Sequence, residues 1–230
     1  KKRAKLFSRI GREISVSVKA SGSDLDSNIR LRSAVNAAKA INMPKDNIQR
    51  AIKKGEGNSP DLNYEEVRYE GYGPSGVAVI IETLTNNKNR TAAEIRSTFS
   101  KYGGNLGESG SVSYNFKRLG TIIIEKQLAE ENDIFEFVAE NGSEDLEISD
   151  NEYTIYCEPN ILHSLNEKII NKYGKTLSSQ LTWKSDTNIE VQNDNLEKLF
   201  QLFNSLEENE DVQSVSSNFE VNDEILTALT

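Results

Sequence analysis

Residues 69–85 read YEGYGPSGVAVIIETLT, and their interpretation separates two fold classes. Gly71, Gly73 and Gly76 form a literal G-x-G-x-x-G, the pattern that lets a backbone approach a dinucleotide pyrophosphate at a helix N-terminus. That reading needs a helix after the glycines. The chain leads instead into Val77-Ala78-Val79-Ile80-Ile81, an apolar, β-rich run, and Pro74 sits inside the motif. Strand, Gly-Pro turn, strand is the better reading, which predicts an antiparallel hairpin over 67–72 and 77–85 in place of a nucleotide-binding βα unit.

On either side of the hairpin the hydrophobic period changes. Upstream, Leu6, Ile10, Ile14 and Val18 recur every four residues with Phe7 beside them, which predicts a helix over 1–18. After a polar break at 21–27, Asp26 or Ser27 can cap a second helix reaching about Ile41, with Leu31, Val35 and Ala38 inward. Pro44 suits the first turn of a third helix, which carries Ile48, Ala51 and Ile52 inward and stops at Gly55. Residues 55–63, with Gly57, Ser59 and Pro60, form a linker.

Downstream of the hairpin, the spacing predicts a helix over 91–102, strands over 111–116 and 121–125, and a helix over 133–140. Strands near 146–148 and 153–157, a helix over 161–173, a strand over 179–184, a helix over 195–206 and a final strand over 212–221 complete the chain. The fold class is α+β: an N-terminal three-helix domain followed by two small α/β domains.

The formal net charge is −9, yet it is divided sharply. Residues 1–55 hold fourteen Lys and Arg against four acids, a formal +10, which leaves −19 for the rest. A polyanion is drawn to such a head through phosphate contacts and counterion release, while the acidic body repels other approaches. The competing explanation is a basic head that docks on the acidic body or is simply solvated.

One cysteine, Cys157, and one histidine, His163, leave no Cys/His zinc site and at most one imidazole for a triad. No apolar run is long enough to span a bilayer, and the lone cysteine fits a reducing, cytoplasmic setting. His163 and Trp183 read as packing residues. The acidic runs at 130–131, 144–145 and 207–211 lack a calcium-loop glycine or a neighbouring base, and read as solvated faces. Residues 103–110 read as a helix cap and flexible loop in preference to a phosphate cradle. Lys88 and Arg90, at the start of a helix that also carries Arg96, are a possible second anion contact; a capped strand-to-helix loop explains them equally well. The chain starts at Lys1 and its one methionine is Met43, so a preceding N-terminal segment is expected.

Several stretches together are more specific than any glycine motif. They are NMPKDNIQRAIKKG at 42–55, YEGYGPSGVA at 69–78, NRTAAEIR at 89–96, GGNLG at 103–107 and GSVSY at 110–114. With them the sequence resembles the YebC/PmpR family, which includes the mitochondrial translational activator of cytochrome c oxidase. The resemblance covers essentially the whole chain. It implies that the third domain is inserted into the second, with 195–221 returning to pair with 66–126. The domains are then 1–60, 64–127 plus 192–224, and the insert 128–191. It also implies a transcriptional regulator that binds promoter DNA or, in other members, a ribosome-associated translation factor.

Two departures stand out: the family's usual Gly-His-Ser-Lys-Trp start is absent, and Thr85-Asn86-Asn87 stands where the family usually has Thr-Asp-Asn.

The resulting expectation is a non-enzymatic DNA-binding regulator whose phosphate contacts are Lys2, Arg3, Lys5, Arg9, Arg12, Arg30, Arg32, Lys45, Arg50, Lys53 and Lys54. The alternative is a ribosome- and RNA-bound translation factor using the same face, with the Met43-Pro44 turn reaching a functional centre. No cofactor, metal, membrane or small-molecule substrate is implied, and the oligomeric state is left open.

Overall fold

A computed structural model describes residues 2–191 and 193–219. In chain order the elements begin with α1 (Lys2–Ser21), α2 (Ile29–Ala40), α3 (Lys45–Glu56), β1 (Glu65–Tyr72), β2 (Ala78–Thr85), α4 (Lys88–Lys101) and β3 (Asn105–Leu106). They continue with β4 (Phe116–Glu125), α5 (Glu131–Glu140), β5 (Ser143–Ile148), β6 (Glu152–Cys157), α6 (Leu162–Tyr173), β7 (Ser178–Ser185), α7 (Asn193–Glu208) and β8 (Val212–Ser217). Two compact units result: Lys1–Leu62 with Arg118–Thr182, and Asn63–Lys117 with Trp183–Thr230.

In the first unit, α1, α2 and α3 bury the apolar residues that helical spacing marks, Ile14, Val18, Leu31, Val35, Ala38, Ile48 and Ala51. Neither α2 nor α3, of 12 residues each, is long enough to be stable alone, so their apolar faces must be closed on one another and on α1. The connection from α1 to α2 is locked by Asn28, buried to 3% exposure, rather than by Asp26 or Ser27. Its side-chain oxygen accepts from the Leu31 amide at 3.0 Å, and its amide donates to the carbonyls of Ser17 and Gly22, each at 2.8 Å. Only an amide side chain can cap one helix and satisfy the last carbonyls of another at once. Between α2 and α3, Asn42 takes the left-handed conformation at φ 55° and the Met43 amide returns to the Ala38 carbonyl at 2.9 Å. Met43 is thereby turned into the core, while Pro44 occupies the N-cap of α3.

The remaining segment of this unit belongs to a β-α-β-β-α-β run whose sheet has the order β5-β6-β4-β7, the split βαβ arrangement. Its core joins Ile122, Ile124, Tyr153 and Ile155 of the sheet to Ile134 and Val138 of α5 and Leu165 and Ile169 of α6. The strand expected over 111–116 is instead a turn followed by a short 3-10 segment, Ser113–Asn115, and β4 runs unbroken through Gly120. Gly120 acts here as a point of close approach: a Cβ there would lie 2.8 Å from the Cys157 sulfur and 2.9 Å from Leu162.

In the second unit, β1 and β2 form the expected hairpin, with Tyr72 opposite Ala78 and Glu65 opposite Thr85. Ser75 and Gly76 turn it at φ 60° and 72°. The last strand returns against β2, giving the order β3-β1-β2-β8 and so placing the third domain as an insertion into the second. The expected strand's residues 220 and 221, and 220–224 of the expected second domain, lie outside the described residues. Val77, Val79 and Ile81 pack against Ile95 and Phe99 of α4 and Leu199 and Leu202 of α7. Ala78 and Ile80, on the opposite face, meet Val112, Phe116 and Trp183. A strand covered on both faces has no reason to alternate, which accounts for the continuous apolar run after the glycines. The fold is α+β throughout, and no described helix is long and apolar enough to cross a membrane.

Candidate nucleic-acid interface

The basic residues of the head are distributed by helix geometry. On α3, Ile48, Ala51 and Gly55 are buried, and a helical repeat of 100° per residue places Lys45, Arg50, Lys53 and Lys54 on the opposite arc, where all four are exposed. Arg50 is steadied by the Asn47 side chain and, at 3.4 Å, by the Asp46 carbonyl. The helix can lie close to α1 because it has no side chain at Gly55, where a Cβ would stand 2.5 Å from the Ser15 carbonyl oxygen. The Ser15 hydroxyl in turn donates to the Ala51 carbonyl at 2.8 Å.

On α1, the same periodicity sets Lys5, Arg9 and Arg12 opposite Ile10, Ile14 and Val18; all three cations are partly buried. Arg3 is exposed, lies 5.3 Å from the centre of the Phe7 ring and reaches the Asn42 carbonyl at 3.4 Å. The side chain of Lys2 lies outside the described residues.

The two arginines of α2 are engaged within the protein. Arg30 makes a two-pronged pair with Glu13, at 2.6 and 3.0 Å. Arg32 pairs with Glu167 of α6 through Nε and Nη2 and donates from Nη1 to the carbonyls of Leu25 and Asp26. Beside this pair, His163 Nδ1 lies 2.9 Å from the Ser33 hydroxyl. Burial lowers the His163 pKa; Glu13 and Glu167 oppose that shift and Arg30 adds to it, so the imidazole is held in its neutral form. These contacts fasten α2 to α6, and they give Arg30, Arg32 and His163 a structural explanation.

The possible second contact resolves into separate parts. Lys88 lies 3.4 Å from Glu65 on the surface, and Arg96 is exposed. Arg90 donates at 2.7 Å to Asp211, whose side chain is 4% exposed. The same carboxylate oxygen accepts from Thr91 at 2.6 Å and Thr85 at 3.2 Å, while Asn87 caps α4 through the Arg90 amide. The anion beside this helix N-terminus is thus an internal carboxylate. The acidic run at 207–211 reads as solvated, yet its last member is buried because it neutralises this end of α4. Asn86, where the family usually has Asp, is exposed and lies 3.4 Å from Arg90.

A second carboxylate, Glu70, has no signal in the sequence. Its side chain is fully buried on β1 and accepts from the backbone amides of Gly110 and Ser113, the latter at 2.7 Å, with Arg68 at 3.8 Å. Burial raises its pKa, but the hydrogen bonds from Gly110 and Ser113 and the Arg68 charge outweigh that and the net shift is downward. Arg68 also lies over the Trp183 ring at 4.8 Å, and Trp183 Nε1 donates to Glu82 at 2.8 Å, which fixes the tryptophan as a packing residue. The Cys157 thiol is pushed up to about 11, chiefly by burial, and so is protonated and unreactive.

Two family models match: the TACO1/YebC protein N-terminal domain over residues 1–58 and the TACO1/YebC second and third domain over residues 64–219. Among solved structures, a conserved hypothetical protein from Aquifex aeolicus shares 42% sequence identity, with a TM-score of 0.88 over 98% of this chain and 93% of that one. Between them the two models account for the helical head and for the two α+β domains beyond it, and the chain belongs to the TACO1/YebC family.

Proposed function

We propose that this protein is a cytoplasmic nucleic-acid-binding regulator that acts by binding rather than by catalysis, with duplex DNA as its target in the control of transcription. The observation that carries this reading is the exposed arc of Lys45, Arg50, Lys53 and Lys54 on α3, set opposite the helix's buried face in a head of formal charge +10. Four cations on one rigid helix suit the regular spacing of backbone phosphates and supply sequence-independent affinity. Arg3, Lys5, Arg9 and Arg12 of α1 add phosphate contacts in this reading, as does Lys2, whose side chain lies outside the described residues. Arg30, Arg32 and Arg90 hold the fold, leaving Lys88 and Arg96 as peripheral cations.

A second reading, binding to structured RNA on the ribosome, is favoured by a head whose sequence carries no recognisable helix-turn-helix signature for reading base edges, because RNA is recognised chiefly by shape and backbone. The Met43-Pro44 turn then contributes through Pro44, since the Met43 side chain is buried in the bundle. Titrating the full chain against duplex DNA and ribosomal RNA fragments over rising salt separates the two. Duplex preference that survives raised salt supports transcriptional control. RNA preference, with duplex binding lost as salt rises and co-sedimentation with ribosomes, replaces it with the translational reading.

A further inference from the structure

The second unit displays two exposed tyrosines, one of which, Tyr72, fastens the loop that carries the other, Tyr114. Tyr114 is 73% exposed, more than any other large apolar side chain among the described residues, and Tyr72 is 38% exposed. The Tyr72 pKa is raised by desolvation first, and then by the hydrogen bond and charge of Tyr114, which set the two hydroxyl groups beside each other. A single exposed tyrosine needs no explanation. Here the loop that carries Tyr114 is built to hold it.

That loop is fastened to β1 at four points. Glu70 accepts the Gly110 amide and the Ser113 amide, the Glu70 carbonyl accepts the Gly107 amide at 2.8 Å, and the Tyr72 hydroxyl donates to the Ser111 carbonyl at 3.2 Å. Glu70 and Tyr72 are two residues apart on one strand, so they project from the same face and grip the loop together. Gly110, at φ 87°, lets its amide turn toward the buried carboxylate. The last turn of the loop, Ser113–Asn115, is a 3-10 segment that leads directly into β4. Burying a carboxylate is costly unless backbone donors satisfy it, and the return on that cost is a loop whose outward residue, Tyr114, has little freedom left to lose.

We propose that Tyr114, backed by Tyr72, is a stacking platform for an unpaired nucleobase, a contact separate from the phosphate-binding arc of α3. A rigid ring presents a π-face at small entropic cost, and aromatic–base stacking accepts any base. Duplex bases are already stacked and cannot reach it. Residues 63–117, which carry both tyrosines, balance six acids with six basic residues, so the body's negative excess lies elsewhere in the sequence, and Lys117 is exposed three residues along the chain, within about 10 Å by backbone length, where a phosphate flanking the base would sit. The inference rests on nucleic-acid binding by this protein, but it names a different surface and a different part of the ligand.

The test uses the full chain, its Tyr114→Ala and Tyr114→Phe variants, and three probes: a 12-nucleotide oligo-uridylate, the matching oligo-deoxythymidylate, and a mixed-sequence duplex. Tyr114→Ala is expected to weaken single-strand binding roughly ten-fold while duplex affinity and the thermal midpoint stay unchanged, and Tyr114→Phe to restore it. The two oligonucleotides show whether the base comes from RNA or DNA, and a 4-thiouridine cross-link should fall on Tyr114 or Tyr72. Duplex binding without single-strand binding, or single-strand affinity unaltered by Tyr114→Ala, overturns the platform and leaves the α3 arc intact. A wild-type chain that binds none of the probes overturns both readings. Single-strand binding that weakens equally in Tyr114→Phe also overturns the platform, because phenylalanine keeps the stacking face.

Discussion

The guanidinium of Arg90 donates to the buried carboxylate of Asp211 at 2.7 Å, across 121 positions of sequence. The contact ties the start of α4 to the approach to β8 and so joins the two sequence segments that make up the second unit. Thr85 and Thr91, both buried, give their hydroxyls to the same carboxylate. Asp211→Ala is expected to destabilise the protein by about 2–4 kcal/mol, because it leaves two buried hydroxyls and a guanidinium without their acceptor. Arg90→Ala should lower the unfolding midpoint without altering nucleic-acid affinity. Denaturant unfolding and binding measured on the same variants check both statements, and a loss of affinity at unchanged stability would return Arg90 to the binding surface.

Gly55 is the point where α3 crosses α1. Alanine normally favours a helix over glycine by about 1 kcal/mol, yet here its Cβ would stand 2.5 Å from the Ser15 carbonyl and 2.6 Å from the Val18 Cβ. Backbone cannot yield as a side-chain tip can, so Gly55→Ala is expected to cost about 1–3 kcal/mol net, measurable as a lower urea midpoint.

Asn28 carries the corner between α1 and α2. Asn28→Ala removes an N-cap and strands the Ser17 and Gly22 carbonyls together, for an expected loss of about 2–4 kcal/mol. Asn28→Asp should recover the cap to the Leu31 amide but not the two donated bonds, and so fall between wild type and alanine. Equal stability of the aspartate variant and wild type would assign the whole effect to the cap.

Glu70 supplies a pH dependence with a definite sign. Its pKa is depressed in the folded protein, so its contribution is fully present above the ordinary glutamate value of about 4.3 and is lost as pH falls through the lower folded value. Stability measured from pH 7 downward should therefore drop more steeply below about pH 4 in wild type than in Glu70→Gln. Glutamine also turns one donor toward the Gly110 and Ser113 amides, so the variant should start less stable at neutral pH. Parallel profiles would contradict the account.

The features legible in the sequence are local ones. Most apolar positions of α1, α2, α3 and α7 that sit at helical spacing are buried or half-buried as that spacing requires, Leu6 near the start of α1 being the exception at 41% exposure, and the Gly-Pro turn with its β-rich sequel marks the hairpin. The insertion is visible only through resemblance, because nothing in residues 195–217 states that they pair with β2. Asp211 and Glu70 escape a sequence reading for the same reason: each is buried by partners far away in the chain, and one lies inside an acidic run that looks solvated. Gly120 misleads in the opposite direction, since a glycine required for close packing cannot be told locally from one that ends a strand. The charge asymmetry of the head is plain, but composition does not distinguish Arg30 and Arg32, engaged by carboxylates, from the exposed arc of α3.

That arc is the centre of the functional account. Binding of the full chain to duplex DNA and to structured RNA, followed from low to high salt for wild type and for Arg50→Glu/Lys53→Glu, tests it most directly. Both side chains are exposed on the face away from the core, so the variant should fold normally. The expected result is weaker binding to every sequence and a salt dependence shallower by about 2 in log–log slope, one unit for each lost phosphate contact. Unchanged affinity and an unchanged slope would contradict it and move the nucleic-acid contact off α3.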